Sequence, residues 1–150
     1  MKVVFLDIDG VVNTLQIDEN LKPYYGTEYT CPNNIQALRW LSRLCLEQNA
    51  KIVISSTWRH AGLKRCRKTL YKGGLSKEIE IIDTTPTYYG EQRGKEIYDW
   101  LHCHPEVKKF VILDDDSDME PLMNYLVKCD HHKGFLGEEY TQATDLLSDD

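Results

Sequence analysis

A mostly parallel sheet packed between helices is the fold this sequence predicts, and three observations predict it. Five short apolar runs recur along the 150 residues, segments of helical spacing lie between them, and no internal repeat or long linker divides the chain. Strands that alternate with helices build βαβ units, whose sheets are parallel and covered on both faces. The expected fold is therefore α/β, one domain over residues 1–150 with about five strands.

The first run, residues 3–6, leads into Asp7-Ile8-Asp9-Gly10. Pro32 suits a first helical position, and Ile35, Leu38, Leu41 and Cys45 follow at helical spacing. A second strand, KIVI at 51–54, ends in Ser55-Ser56-Thr57. Residues 55 to 93 have room for a helix and a strand, the latter read from IEII at 79–82. A helix follows Gly94 through Ile97, Trp100 and Leu101. The fourth run, FVIL at 110–113, ends in Asp114-Asp115-Asp116-Ser117-Asp118, the fifth spans 125–128, and a last helix covers 138–147.

Composition narrows the function. With 41% hydrophobic and 28% charged residues, the chain can bury a core and is not a disordered tract. No apolar stretch approaches the length of a membrane span, which leaves the cytoplasm as the default compartment and no membrane partner. Five scattered cysteines without a CxxC pair suit free thiols in a reducing environment. The net charge of −6 argues against a surface that coats nucleic acid generally. It is unevenly spread, however. Residues 59–72 hold six Lys/Arg and no acid, leaving −12 on the remainder. Such a stretch is either a solvated helix face or a landing site for an anionic substrate.

In open α/β sheets, ligands bind beyond the carboxyl ends of the strands. The groups expected at that edge are Asp7 and Asp9, then Ser55 and Ser56, then Asp114 and Asp115. Carboxylates gathered in one pocket repel, and a divalent cation with a taste for hard oxygen ligands, Mg²⁺, neutralises them. Asp7 and Asp114 should then lie within about 10 Å of each other. Asp114, Asp116 and Asp118 imitate a calcium loop, but Met119 and Tyr125 stand where that loop needs Gly and Glu. His102-Cys103-His104 cannot converge on zinc from neighbouring positions at a helix end. Tyr24, Tyr25, Trp58, Tyr88 and Tyr89 flank the site in sequence, and the last two suit a substrate mouth.

The order of these pieces resembles the haloacid dehalogenase (HAD) superfamily of phosphohydrolases. VVFLDIDGVV matches its first motif, KIVISS its second, RGKEI its third and FVILDD its fourth, across residues 3–118. Taken together with ISSTWR, they look closest to the small HAD-like domains of Swiss Army Knife RNA-repair proteins. The resemblance implies a three-layer, Rossmann-like sandwich with no large cap domain, and a phosphomonoesterase acting through an aspartyl-phosphate. Asp7 would be the nucleophile, ionised at neutral pH like any ordinary carboxylate. Asp9 would protonate the leaving oxygen, a role favoured where other carboxylates share its pocket. Asp7, the Asp9 backbone carbonyl and Asp114 would hold Mg²⁺, with Asp115 behind them and Asp118 a further candidate. Ser55, Ser56 and Gly10 would bind phosphate, together with Arg93 or Lys95, since both basic residues fit the third motif.

The segments between motifs are too short for a full cap, so the site should be open to a phosphorylated nucleic-acid end or a phosphoprotein. Two other readings remain. One is a receiver-like signalling module, although its phospho-accepting Asp is missing after the middle strand, where Ser55 stands. The other is a domain that binds phosphate without turnover. Nothing in the sequence bears on oligomeric state.

Overall fold

The computed structural model describes residues 1–17, 28–31 and 34–149. Its sheet has five strands, all parallel: β1 (Lys2–Leu6), β4 (Ala50–Ile54), β5 (Ile81–Thr84), β6 (Lys109–Asp114) and β7 (Leu126–Lys128). Between β1 and β4 come a two-stranded antiparallel ribbon, β2 (Thr14–Ile17) with β3 (Glu28–Cys31), and helix α1 (Ile35–Gln48). Helix α2 (Leu63–Gly73) joins β4 to β5, α3 (Arg93–His102) joins β5 to β6, and α4 (Gly137–Leu147) follows β7.

The spatial order is β5-β4-β1-β6-β7. From central β1 the chain steps outward through β4 and β5, then returns through α3 to the other side of β1. Strand order therefore reverses between β1 and β6, the place where such sheets open a crevice at their carboxyl ends.

Alternation along β1 sorts the core into two layers. Val4 and Leu6 face α1, α2 and α4, joining Leu38, Leu41, Cys66, Leu70 and Ala143. Val3 and Phe5 face the other way, against Ile97 and Trp100 of α3 with Met119 and Leu122. Helices on both faces of an all-parallel sheet give the three-layer Rossmann-like sandwich, and no large cap domain interrupts it among the described residues. None of the described helices is long and apolar enough to cross a membrane.

Some boundaries differ from the sequence reading, α3 for one beginning at Arg93 rather than after Gly94. Helix α1 starts at Ile35, capped by Asn34, whose side chain accepts from the Ala37 N–H at 3.2 Å; Pro32 lies outside the described residues. Strand β5 starts two residues later than expected and runs on through Asp83, beyond a bulge opposite Ile52/Val53. The Asp83 carboxylate accepts the Trp100 indole N–H at 2.8 Å, so the polar group is satisfied and pairing continues. Tyr125 belongs to a 3₁₀ turn ahead of β7.

Both chain ends are fastened at the amino edge of the sheet. The Met1 ammonium donates to the Glu106 carbonyl at 3.0 Å, and Lys2 reaches Asp149 at 2.9 Å.

Candidate active site

Asp7 follows β1 and Asp114 closes β6, one on each side of the strand-order reversal. The ladder extends past the strand ends and fixes both: Asp7 N–H donates to Leu113 O at 2.9 Å and Cys129 N–H to Asp114 O at 2.8 Å. Asp7, Asp114 and Asp115 each place a carboxylate oxygen within 4.8 Å of the others. The expected convergence is met. Among the described residues this trio is the one group arranged to hold a metal ion. His102-Cys103-His104 does not form another: the His104 ring stacks on Trp100 and Cys103 is exposed.

Arg93 opens α3 and enters the cluster, its guanidinium 2.9 Å from Asp114 and 3.2 Å from Asp7. Asp118 holds it there, accepting the Arg93 N–H on its carboxylate at 3.3 Å and the Gly94 N–H on its carbonyl at 3.0 Å. A Cβ on Gly94 would fall 2.3 Å from the Met119 carbonyl, so glycine is what lets the helix start press against that loop. Lys95 faces away, bonded to Asp99 at 2.8 Å on the exposed side of α3. Between the two basic candidates, geometry favours Arg93.

One arginine does not balance this many buried carboxylates. Burial pushes the Asp7 carboxyl up to about 8, with the Asp114 charge adding to the rise and Arg93 opposing it. Asp114 is pushed up to about 6, again chiefly by burial. Burial therefore works against the ionised form of Asp7 expected from its ordinary acidity. Ionising it within the fold calls for more positive charge than the chain supplies.

Gly10 serves differently from expectation. Its φ of 86° lies in the left-handed region, and its N–H donates to Asn13 O at 2.5 Å inside the turn, so it is not aimed at a phosphate. A Cβ there would meet the Asp115 carboxylate at 2.3 Å. Glycine here makes room for Asp115 in the trio.

Ser55, just past β4, is completely buried, and its hydroxyl has no partner among the described residues. An orphaned hydroxyl beside a carboxylate cluster fits a ligand-binding role. Ser56 is occupied locally: its Oγ accepts the Trp58 N–H at 3.2 Å and caps a 3₁₀ turn, Thr57–Ala61. That turn feeds the Trp58 indole to Asp9, which accepts its N–H at 3.0 Å and the Asn13 amide at 3.3 Å. The Asp9 side chain is exposed and held by these two neutral donors, and it is not one of the carboxylate trio.

Sequence reasoning missed the brace behind the site. Arg59, one of the six cations of residues 59–72, belongs neither to a solvated face nor to a landing site: it is buried in a bidentate pair with Glu96 at 2.9 and 3.0 Å. The same guanidinium donates to the Ser55 carbonyl at 2.6 Å and to Thr87 at 2.8 Å, while Glu96 also accepts the Tyr88 N–H at 2.8 Å. Ser55, the 85–92 loop and the start of α3 are thereby tied together. Arg59 and Glu96 are 37 positions apart, and no local pattern announces the pair. The loop it anchors leaves Tyr89 almost fully exposed; Tyr24 and Tyr25 lie outside the described residues.

The model of the HAD domain in Swiss Army Knife RNA repair proteins matches residues 3–140. This chain belongs to that family. No curated protein and no solved structure matches it. In this HAD domain, Arg93→Ala should lower phosphatase kcat/KM by about 10²–10³, the range for removing one preorganised donor to developing charge. Lys95→Ala should stay within about twofold, its charge being spent at the surface on Asp99. Steady-state kinetics on an aryl phosphate decides between them, and equal losses would overturn the assignment.

Proposed function

We propose that this HAD domain is a Mg²⁺-dependent phosphomonoesterase that acts on the phosphorylated end of a nucleic acid. The observation that carries the reading is the carboxylate trio, set beside Arg93 and the orphaned Ser55 hydroxyl where strand order reverses.

The residues present fit a hard divalent cation. Their donors are carboxylate oxygens within 4.8 Å of one another, and Asp7 and Asp114 are both driven toward the neutral form for want of positive charge. Asp7, Asp114 and the Asp9 backbone carbonyl would hold the ion, with Asp115 behind them. Bound there, it supplies charge that keeps Asp7 ionised and offsets the charge of the phosphate.

The chain's own residues account for the rest. Asp7 attacks phosphorus through a carboxylate oxygen as the bond to the leaving oxygen breaks. Asp9, outside the trio and hydrogen-bonded to Trp58 and Asn13, gives that oxygen its proton. Asp9 then takes a proton from the water that attacks the acyl phosphate, releasing inorganic phosphate and restoring Asp7. Ser55 donates to a non-bridging phosphate oxygen, and Arg93 adds its charge to the same group.

Substrate size follows from what covers the site. Among the described residues, the β2–β3 ribbon and α1 are what intervene between Asp9 and β4, and neither is a cap domain. An open edge admits the end of a long chain, and the family's tie to RNA repair favours a nucleic-acid end over a phosphoprotein. Four described cysteines are free thiols, which suits the cytoplasm.

The test is phosphate release from an aryl phosphate, nucleotides, sugar phosphates, phosphopeptides and oligonucleotides phosphorylated at either end. Turnover should need Mg²⁺, stop with EDTA and be fastest on an oligonucleotide end. No release from any of them with Mg²⁺ present would leave a phosphate-binding domain without turnover.

A further inference from the structure

Of the six cations in residues 59–72, the structure uses two internally. Arg59 is paired with Glu96, and the Arg67 Nε–H donates to Ile81 O at 2.8 Å. The other four, Lys64, Arg65, Lys68 and Lys72, are exposed on α2, and none has a hydrogen-bond or ion-pair partner among the described residues. They share one face. Lys64, Lys68 and Lys72 fall on successive turns with Arg65 alongside, while Cys66 and Leu70 point into the core. With Ala61 and Thr69 they line a groove of about 730 Å³.

This arrangement works against the helix itself. Cations four residues apart repel, and an ordinary solvated face interleaves them with acids. Helix α2 contains no acid, and Lys64 and Arg65 sit at the positive end of its dipole. An anionic partner lying along the groove would offset both penalties.

We infer that the α2 face of Lys64, Arg65, Lys68 and Lys72 is a docking track for the backbone of a single-stranded nucleic acid whose end lies at Asp7. This rests on the phosphatase reading for the placement of the end, but not for the track itself. The 3₁₀ turn starting at Thr57 carries the chain from Ser55 into α2, so Lys64 stands nearest the catalytic edge. As the crossover between parallel strands, α2 then runs away from that edge. Each step along the row rises about 6 Å, comparable with the distance between successive phosphates on a strand. The groove offers no large outward apolar residue, which a membrane-binding helix face requires. A linear row is also unlike the converging arginines that grip one phosphorylated side chain.

The test is fluorescence anisotropy with a labelled single-stranded oligoribonucleotide, in EDTA so that binding is read without turnover. Against wild type stands Lys64→Gln/Arg65→Gln/Lys68→Gln/Lys72→Gln, its fold checked by circular dichroism. The variant should bind at least about tenfold more weakly at 100 mM salt, and its slope of log affinity against log salt should flatten by about 3. A probe lacking a terminal phosphate should show the same flattening, because the track meets internal phosphates. Aryl phosphate turnover should stay within twofold of wild type. If the fourfold variant does not fold, Lys68→Gln/Lys72→Gln should give about half the change in slope. Equal affinity and slope in wild type and variant would overturn the track, as would no binding by wild type at low salt or a preference for phosphatidylserine vesicles over the oligonucleotide. Track-dependent binding by a protein that hydrolyses nothing would instead sink the phosphatase reading alone.

Discussion

Asp7→Asn is expected to abolish phosphate release from an aryl phosphate, a loss of roughly a thousandfold or more, because a neutral amide is a far poorer nucleophile than a carboxylate. The same variant should be more stable than wild type when metal is removed at pH 8. Burial raises the folded-state pKa of Asp7 to about 8, whereas in the unfolded chain it lies near the ordinary aspartate value. Between those limits the folded state binds more protons than the unfolded state. Wild-type stability in EDTA therefore falls as pH rises from about 4 to 8, and the amide escapes that fall. The difference at pH 8 should be on the order of a few kcal/mol, or about 5–10 °C in Tm, and should shrink toward pH 5. Thermal unfolding across this range, beside kinetics with Mg²⁺, checks both halves. Wild-type turnover by Asp7→Asn would end the covalent mechanism, and a lower Tm for the variant at pH 8 would end the account of its burial.

The second large effect concerns Arg59 and Glu96, each with a side chain only 5% exposed. Arg59→Ala strands a buried carboxylate and should cost about 3–5 kcal/mol, lowering Tm by about 10 °C. The paired replacement Arg59→Met/Glu96→Leu removes both charges and should recover most of that stability. Activity should stay depressed in the double variant, because the Ser55 carbonyl, Thr87 and the Tyr88 N–H still lose their partners. Urea unfolding and aryl phosphate kinetics separate the two roles. Stability within 1 kcal/mol of wild type for Arg59→Ala would show that the pair braces nothing.

The parts legible in sequence were those governed by local rules. An apolar run ending abruptly in a carboxylate or hydroxyl marks where a buried strand emerges, and Asp7, Ser55 and Asp114 do stand at those exits. What escaped was pairing across long separations. Arg59 was counted among the surface charges because nothing nearby in the chain neutralises it; Glu96 does so from 37 residues away. Gly10 was read as a phosphate contact, since a glycine after DxD suggests an open N–H. Its actual constraint is Asp115, more than a hundred residues later. The β2–β3 ribbon went unseen because its strands are only four residues long and pair with each other, outside the main sheet.

The fastening of both chain ends at the amino edge has a practical side. Asp7, Ser55 and Asp114 leave the sheet at its carboxyl edge, one strand length away, about 16 Å for five residues. A fluorophore, affinity tag or surface tether attached beside Met1 or Asp149 would therefore emerge on the side opposite the carboxylate trio. Immobilised by its ends, the molecule would present Asp7 and Tyr89 outward to solution, so single-molecule capture of a long strand could be attempted without blocking the entrance.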